Sequence, residues 1–155
     1  MPIHPLTPPQ EPEWLRMRAT LGPDFDLANT QGAASTEIPL IRAGKGPAGR
    51  PYAVLVATDD GAETILGFAE AHLRDYADGC TTSPVGYLEA WYVAPEARGR
   101  GLGRELVLAA RDWCREHGAS EFFSDTDLHN TNSIEAHKRL GFTELYRTVQ
   151  FRLDD

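Results

Sequence analysis

A strand-like run over residues 86–93 turns at Pro95 and enters Arg98-x-x-Gly101-x-Gly103, and an amphipathic pattern starts directly behind it. No other stretch limits the fold as much. A strand, a glycine loop and a helix start together make a cradle for a phosphate. The N–H groups of a helix's first turn lack intrahelical partners, the helix dipole favours an anion there, and glycine lets backbone and ligand approach closely. The helix is expected over residues 101–117. Its apolar stripe would be Leu102, Leu106, Ala109, Ala110 and Trp113, with Arg115 and His117 in the last turn and Gly118 as the stop.

The elements around this unit follow from periodicity and breakers. A short strand is expected over residues 2–6, and a helix over 11–21 that stops at Gly22-Pro23. A short helix over 35–42 is limited by Pro39, and residues 44–50 read as a surface loop. Apolar runs at 52–57 and 64–73 flank Asp59-Asp60-Gly61 and predict an antiparallel hairpin. A strand at 121–126, a helix from about 132 to 140 ending at Gly141, and one or two closing strands over 142–153 complete the chain. The strand–helix–strand unit at 86–126 implies a parallel crossover. With the hairpin it gives a mixed sheet with helices on its faces. There is no internal repeat or dividing linker, so residues 1–155 read as a single domain.

Composition narrows the function. A formal net charge of −8 argues against nucleic-acid binding, where a basic face is expected. It suits a cationic small substrate, though it also serves solubility alone. No apolar run approaches the roughly 20 residues that span a membrane, and residues 1–9 lack the pattern of a secretory signal. Two cysteines, Cys80 and Cys114, cannot make a disulfide framework or an all-cysteine metal site, and they fit a cytoplasmic protein.

Two familiar phosphate motifs are excluded. No Lys-Ser or Lys-Thr follows the glycines, as a P-loop requires, and counting Gly-x-Gly-x-x-Gly from Gly99 puts Arg104 in the third glycine's place. The remaining pattern resembles the pyrophosphate loop of the GCN5-related N-acetyltransferase superfamily. Asn130-Thr-Asn-Ser133-Ile-Glu-Ala-His137-Lys-Arg-Leu-Gly141-Phe142 resembles that superfamily's later motif, in matching order and spacing. Tyr76, Ser83-Pro84, Gly86-Tyr-Leu-Glu89, Trp91-Tyr92-Val93, Ser124-Asp125-Thr126 and His137-x-x-Leu140-Gly-Phe142 resemble one subgroup, the bacterial aminoglycoside 6′-N-acetyltransferases. The likeness is good over about residues 76–152. Before that it is loose, resting on Trp14-x-x-x-Arg18.

The resemblance implies an α/β (α+β) fold: a mixed, mostly antiparallel sheet with a central splayed parallel strand pair, flanked by about four helices. It implies acetyl transfer from acetyl-coenzyme A to a primary amine, with no metal. Glu89 and Asp125 would attract the ammonium and take its proton. Backbone at Trp91, Tyr92 and Val93 would pair with the pantetheine arm, and the Val93 N–H would stabilise the tetrahedral oxyanion. Arg98, Gly99, Arg100, Gly101, Leu102, Gly103 and Arg104 would wrap the pyrophosphate. Asn130 and His137 would meet the cofactor, and Tyr76 and Tyr146 the substrate. Outside the resemblance these residues have plainer readings. Glu89 is a polar residue on an alternating strand, Asp125 a strand-end residue, and Arg98 and Arg100 a solvated turn. Tyr76 is a loop aromatic packed on the core, and His137 a buried, hydrogen-bonded histidine.

The chain departs from the family pattern in places. His137 stands where the superfamily usually has Tyr, as it does in the subgroup, and this leaves the general acid undefined. Gly22 stands where some subgroup members have a tryptophan against the aminoglycoside ring. Tyr146 stands where they have a glutamate, with Glu144 expected nearby on the same strand face. Asp24 and Asp26 are candidates for further negative charge. Subgroup members often form homodimers. Two other functions remain: an acetyltransferase for another amine (polyamine, metabolite or protein N-terminus), or a non-catalytic acetyl-coenzyme A sensor.

Overall fold

A computed structural model describes residues 1–22, 33–60 and 63–155. Asp24 and Asp26 lie outside these residues. The chain forms two compact units, residues 1–124 and residues 125–155.

The first unit is built on a five-stranded sheet whose strands neighbour one another in chain order. Strands β1 (Ile3–Pro5), β2 (Tyr52–Thr58), β3 (Ile65–Arg74) and β4 (Val85–Val93) pair antiparallel in turn, and β5 (Phe122–Phe123) pairs parallel to β4. The mixed, mostly antiparallel sheet and its parallel pair are as expected. Strand β5 is shorter than the predicted 121–126. Its ladder to β4 holds Gly86↔Phe122 and Tyr87↔Phe123, and the Ser124 hydroxyl donates to the Leu88 carbonyl at 3.3 Å.

Strand β3 is buried over almost its whole length, so its two faces meet different partners. Leu66, Phe68, Glu70, His72 and Arg74 alternate with Gly67, Ala69, Ala71 and Leu73. The small residues admit helix α3 (Leu102–Glu116). A Cβ on Gly67 would lie 2.5 Å from the Tyr92 carbonyl oxygen and 3.1 Å from Leu106 Cδ1. On the other face Phe68 joins Val54, Val56, Ala90 and Ala94 in a core with Trp14 and Met17 of α1 (Glu11–Ala19).

Two helices differ from expectation. Helix α2 (Ala33–Arg42) runs through Pro39 and starts before residue 35. A proline inside a helix costs the bond its missing N–H would make, but does not always end the helix. On α3 the buried residues are Leu102, Leu106, Val107, Ala110 and Cys114, with Cys114 taking the place predicted for Trp113. The Trp113 ring instead packs on His117, with centroids 4.1 Å apart.

The second unit holds α4 (Thr131–Leu140), which is well specified locally. Asn130 Oδ1 accepts the Ser133 N–H at 3.0 Å, and Gly141 closes the C-terminus by donating its N–H to His137 and Lys138 carbonyls. The predicted closing strands do not form: residues 142–155 carry no strand. A strand requires a neighbour for its ladder, and no pairing among the described residues includes this segment. Leu145, Val149, Phe151 and Leu153 are exposed there, Leu153 at 96%. Glu144 therefore sits on no strand face; it pairs with Arg147 at 2.5 Å and Lys138 at 3.6 Å.

Candidate active site

Pairing of β3 with β4 shifts register in mid-strand. Glu70 lies opposite Ala90 and Ala71 opposite Leu88, so Glu89 has no partner of its own. It is the extra residue of a β-bulge, a device that re-aims a side chain. The ladder to β5 has already ended at Tyr87. Glu89 thus sits where β4 parts from its parallel neighbour within the first unit.

Four residues on, backbone direction can be read from hydrogen bonds. The Ala94 N–H donates to the Leu66 carbonyl at 2.8 Å. The adjacent Val93 group must then point away from β3, since alternate residues of a strand bond to opposite sides. Consistently, the Val93 carbonyl accepts from Arg98 Nε at 2.9 Å. The Val93 N–H therefore faces the open side of β4, as an added extended chain or an oxyanion needs.

A 3₁₀ turn at Pro95–Ala97 leads into the glycine loop. Gly99 and Gly101 have φ of 75° and 80°, left-handed values that favour glycine. Gly101 is the N-cap of α3, and no side chain caps the helix there. The Glu105 N–H returns to the Gly101 carbonyl, which leaves those of Leu102, Gly103 and Arg104 without intrahelical acceptors. This fits a pyrophosphate. The arginines contribute unequally: Arg98 braces the end of β4 and lies 5.7 Å over the Tyr92 ring, while Arg100 and Arg104 are exposed. The Leu102 side chain is buried in the core, so only its backbone could meet a ligand.

Behind Glu89 lies a polar cluster that the sequence analysis missed. The Glu70 carboxylate is fully buried and accepts Arg18 Nε at 2.9 and 3.0 Å and the Tyr52 hydroxyl at 2.9 Å. Burial pushes the Glu70 carboxyl up, against the pull of Arg18 and its hydrogen bonds. Burial opposes the Arg18 charge too, but attraction to Glu70 prevails and the guanidinium stays charged. Tyr52 stacks on His72 with centroids 5.3 Å apart, and His72 Nε2 lies 2.9 Å from Glu89 Oε2. Burial raises Glu89, but the His72 hydrogen bond and the charges of His72, Arg74 and Arg18 outweigh it and hold this carboxyl below its usual value. Glu89 is therefore ionised at neutral pH. The sequence signal was present: Glu70-x-His72-x-Arg74 puts three polar residues at period two within an otherwise apolar strand.

The other candidates are less organised. Tyr76 is exposed rather than packed on the core, and its hydroxyl donates to Asp78 Oδ1 at 2.7 Å. In the second unit Asp125 and Tyr146 are exposed. His137 Nδ1 donates to the Ser133 carbonyl at 2.7 Å, which fixes the tautomer and assigns any further proton exchange to Nε2. Its ring meets Phe142 edge-on.

Known proteins share this framework. The family model for the acetyltransferase (GNAT) family matches residues 14–142. An aminoglycoside N(6′)-acetyltransferase type 1 of Klebsiella aerogenes is 42% identical over 150 residues, covering 97% of this chain and 94% of that protein. One from Stenotrophomonas maltophilia is 38% identical over 152 residues, covering 97% and 92%. Among solved structures, the apo 6′-N-acetyltransferase AAC(6′)-Ig of Acinetobacter haemolyticus superposes with a TM-score of 0.83 at 30% identity, covering 100% of this chain and 99% of the other. AAC(6′)-Iy bound to the bisubstrate analogue CoA-S-monomethyl-acetylneamine gives 0.78 at 29%, covering 99% and 98%. With its glycine loop, bulged strand and matched residues 14–142, this chain belongs to the acetyltransferase (GNAT) family.

Proposed function

We propose that this chain transfers the acetyl group of acetyl-coenzyme A to the 6′-amine of aminoglycoside antibiotics, and so confers resistance, as a single catalytic domain over residues 1–155. The observation that carries the reading is Glu89, an ionised carboxylate in a bulge at the open side of β4, four residues before Val93. The acceptor is supported by the relatives, which are named for this reaction and match nearly end to end.

The incoming amine is a cation, since free alkylamines titrate near 10.4. Glu89, with Asp125 as second carboxylate, draws it in and takes its proton directly or through water. The neutral nitrogen then attacks the thioester carbon, forming the C–N bond. The Val93 N–H receives the developing oxyanion. Collapse breaks the C–S bond, and the thiolate leaves and is protonated; His137 would take part through Nε2. Trp91 to Val93 hold the pantetheine arm by backbone bonds, residues 98–104 hold the pyrophosphate, and the Asn130 amide N–H₂ donates to the cofactor. Tyr76 and Tyr146 line the acceptor's path. Acetyl-coenzyme A is a co-substrate, and no metal takes part.

The cytoplasm suits a chain with two unpaired thiols, Cys80 and Cys114. Neither a nucleic acid nor a membrane is a partner in this reading. A homodimer belongs to it, since exposed Val149, Phe151 and Leu153 would bring apolar surface to a second copy; sedimentation velocity tests this.

Glu89→Gln and Asp125→Asn are each expected to lower kcat by about a hundredfold or more. Near-parental rates in both would discard the proton handling. Purified protein should acetylate kanamycin and tobramycin. Acetylation of spermidine with no reaction on either drug would overturn the acceptor. Thermal stabilisation by acetyl-coenzyme A without turnover on any amine would identify a sensor instead.

A further inference from the structure

The bulge frees Glu89 from the sheet's ladder, so β-sheet geometry alone does not hold its carboxylate in place. His72 supplies the missing constraint. It lies on β3, 1% exposed, with Nε2 at 2.9 Å from Glu89 Oε2. Its ring is fixed on two sides, stacked on Tyr52 at 5.3 Å and tilted on Tyr87 at 4.9 Å. Its Nδ1 is buried with no hydrogen-bond partner among the described residues.

These facts select a tautomer. An ionised carboxylate only accepts, so Nε2 must carry the hydrogen. A second hydrogen on Nδ1 would be a buried donor without an acceptor, next to two aromatic rings. The ring is therefore neutral and protonated at Nε2. In that state it cannot take a proton from Glu89, which rules out a relay through this bond.

We infer that His72 is a positioning residue for the transfer reaction: it clamps Oε2 of the bulged Glu89 and leaves Oε1 to meet the substrate ammonium. The role rests on the reading of Glu89 as the carboxylate that receives the amine. Other groups face the same carboxylate. Arg74 Nη2 is 4.0 Å from Oε2 while its guanidinium lies 3.6 Å over the Tyr87 ring. Arg18 acts on Glu89 at longer range, and Glu70 and Tyr52 couple to it from the same sheet face. The cations remain in any His72 variant, so a change on removing His72 reports the imidazole. Glu89 lies below its usual carboxyl value against the pull of burial, with the His72 hydrogen bond the largest opposing cause.

The test reads Glu89 directly. Carboxyl carbons of ¹³C-glutamate-labelled protein are titrated by NMR without substrate, Glu89 being assigned by its loss in Glu89→Gln. His72→Phe should raise the Glu89 midpoint by roughly one to two pH units, the worth of a hydrogen bond to a charged group. It should move the acidic limb of kcat/KM upward with it and lower kcat/KM for the amine roughly ten- to a hundredfold, with KM for acetyl-coenzyme A unchanged. His72→Gln, which keeps an N–H donor, should restore most of both. An unmoved midpoint in folded His72→Phe overturns the role of His72 alone. A midpoint that moves while turnover does not overturns the catalytic reading of Glu89, and the positioning role with it. Should His72→Phe fail to fold, ¹⁵N shifts of the parent His72 decide: a bare Nδ1 and protonated Nε2 are expected, and the reverse tautomer refutes the clamp.

Discussion

Replacing Arg18 with Met should cost more stability than its place on a short helix suggests. Arg18 is 4% exposed and its partner Glu70 is 0% exposed, so the change leaves a buried carboxylate with the Tyr52 hydroxyl as its remaining printed partner. Breaking a buried pair on one side typically costs about 3–5 kcal/mol, against near neutrality when both partners become apolar. For a chain of this size that is a fall in Tm of about 6–20 °C. The deficit has a definite pH dependence. Burial already raises Glu70 in the parent, and without Arg18 it rises further. A carboxyl raised by folding favours its neutral form in the native state. Its contribution to stability is then complete below the unfolded value of about 4.3 and lost as pH climbs through the folded value. The gap between Arg18→Met and the parent should therefore be widest near pH 8 and narrow toward pH 5. Urea unfolding at several pH values measures it, with Arg18→Met/Glu70→Leu expected to recover most of the loss. A gap below about 1 kcal/mol at pH 8, a gap indifferent to pH, or no recovery in the double variant would refute the reasoning.

Other perturbations probe the cradle and its supports. Gly101→Ala puts a Cβ at φ 80°, costing roughly 1–2 kcal/mol; KM for acetyl-coenzyme A should rise by up to about tenfold with saturated turnover kept. Asn130→Ala removes the cap on Ser133 N–H and should weaken α4 by about 1 kcal/mol, visible as faster amide exchange at Ser133. Gly86→Ala puts a Cβ 2.7 Å from Cys114 Cβ, where α3 packs on β4, and should lower stability by about 1–3 kcal/mol in thermal melts.

The parts legible in the sequence are those fixed by nearby residues. The glycine loop and α3 lie within twenty residues of each other and carry their own periodicity, so loop, cap and stop could all be placed. Helix α4 was legible through Asn130 and Gly141 for the same reason. The bulge at Glu89 was not, because it exists only in the register of β4 against β3, set by contacts some twenty residues away in the chain. Glu89 was chosen from a resemblance, and its clamp His72 was passed over as a strand residue. Arg18 entered only as part of a loose motif, since a charge reads as solvated until its buried partner is known. Residues 142–153 misled in the opposite way: their apolar content read as strand, but pattern cannot supply a ladder partner.

The central claim is that a site built for an ammonium acts on one amine of a polyamine drug. Its most direct test is to incubate tobramycin with acetyl-coenzyme A and the purified protein, and to locate the new acetyl group by two-dimensional NMR. The account predicts a single product acetylated on the 6′-nitrogen, and no product from an aminoglycoside bearing a 6′-hydroxyl. No product from tobramycin, or an acetyl group on any other nitrogen, would contradict it.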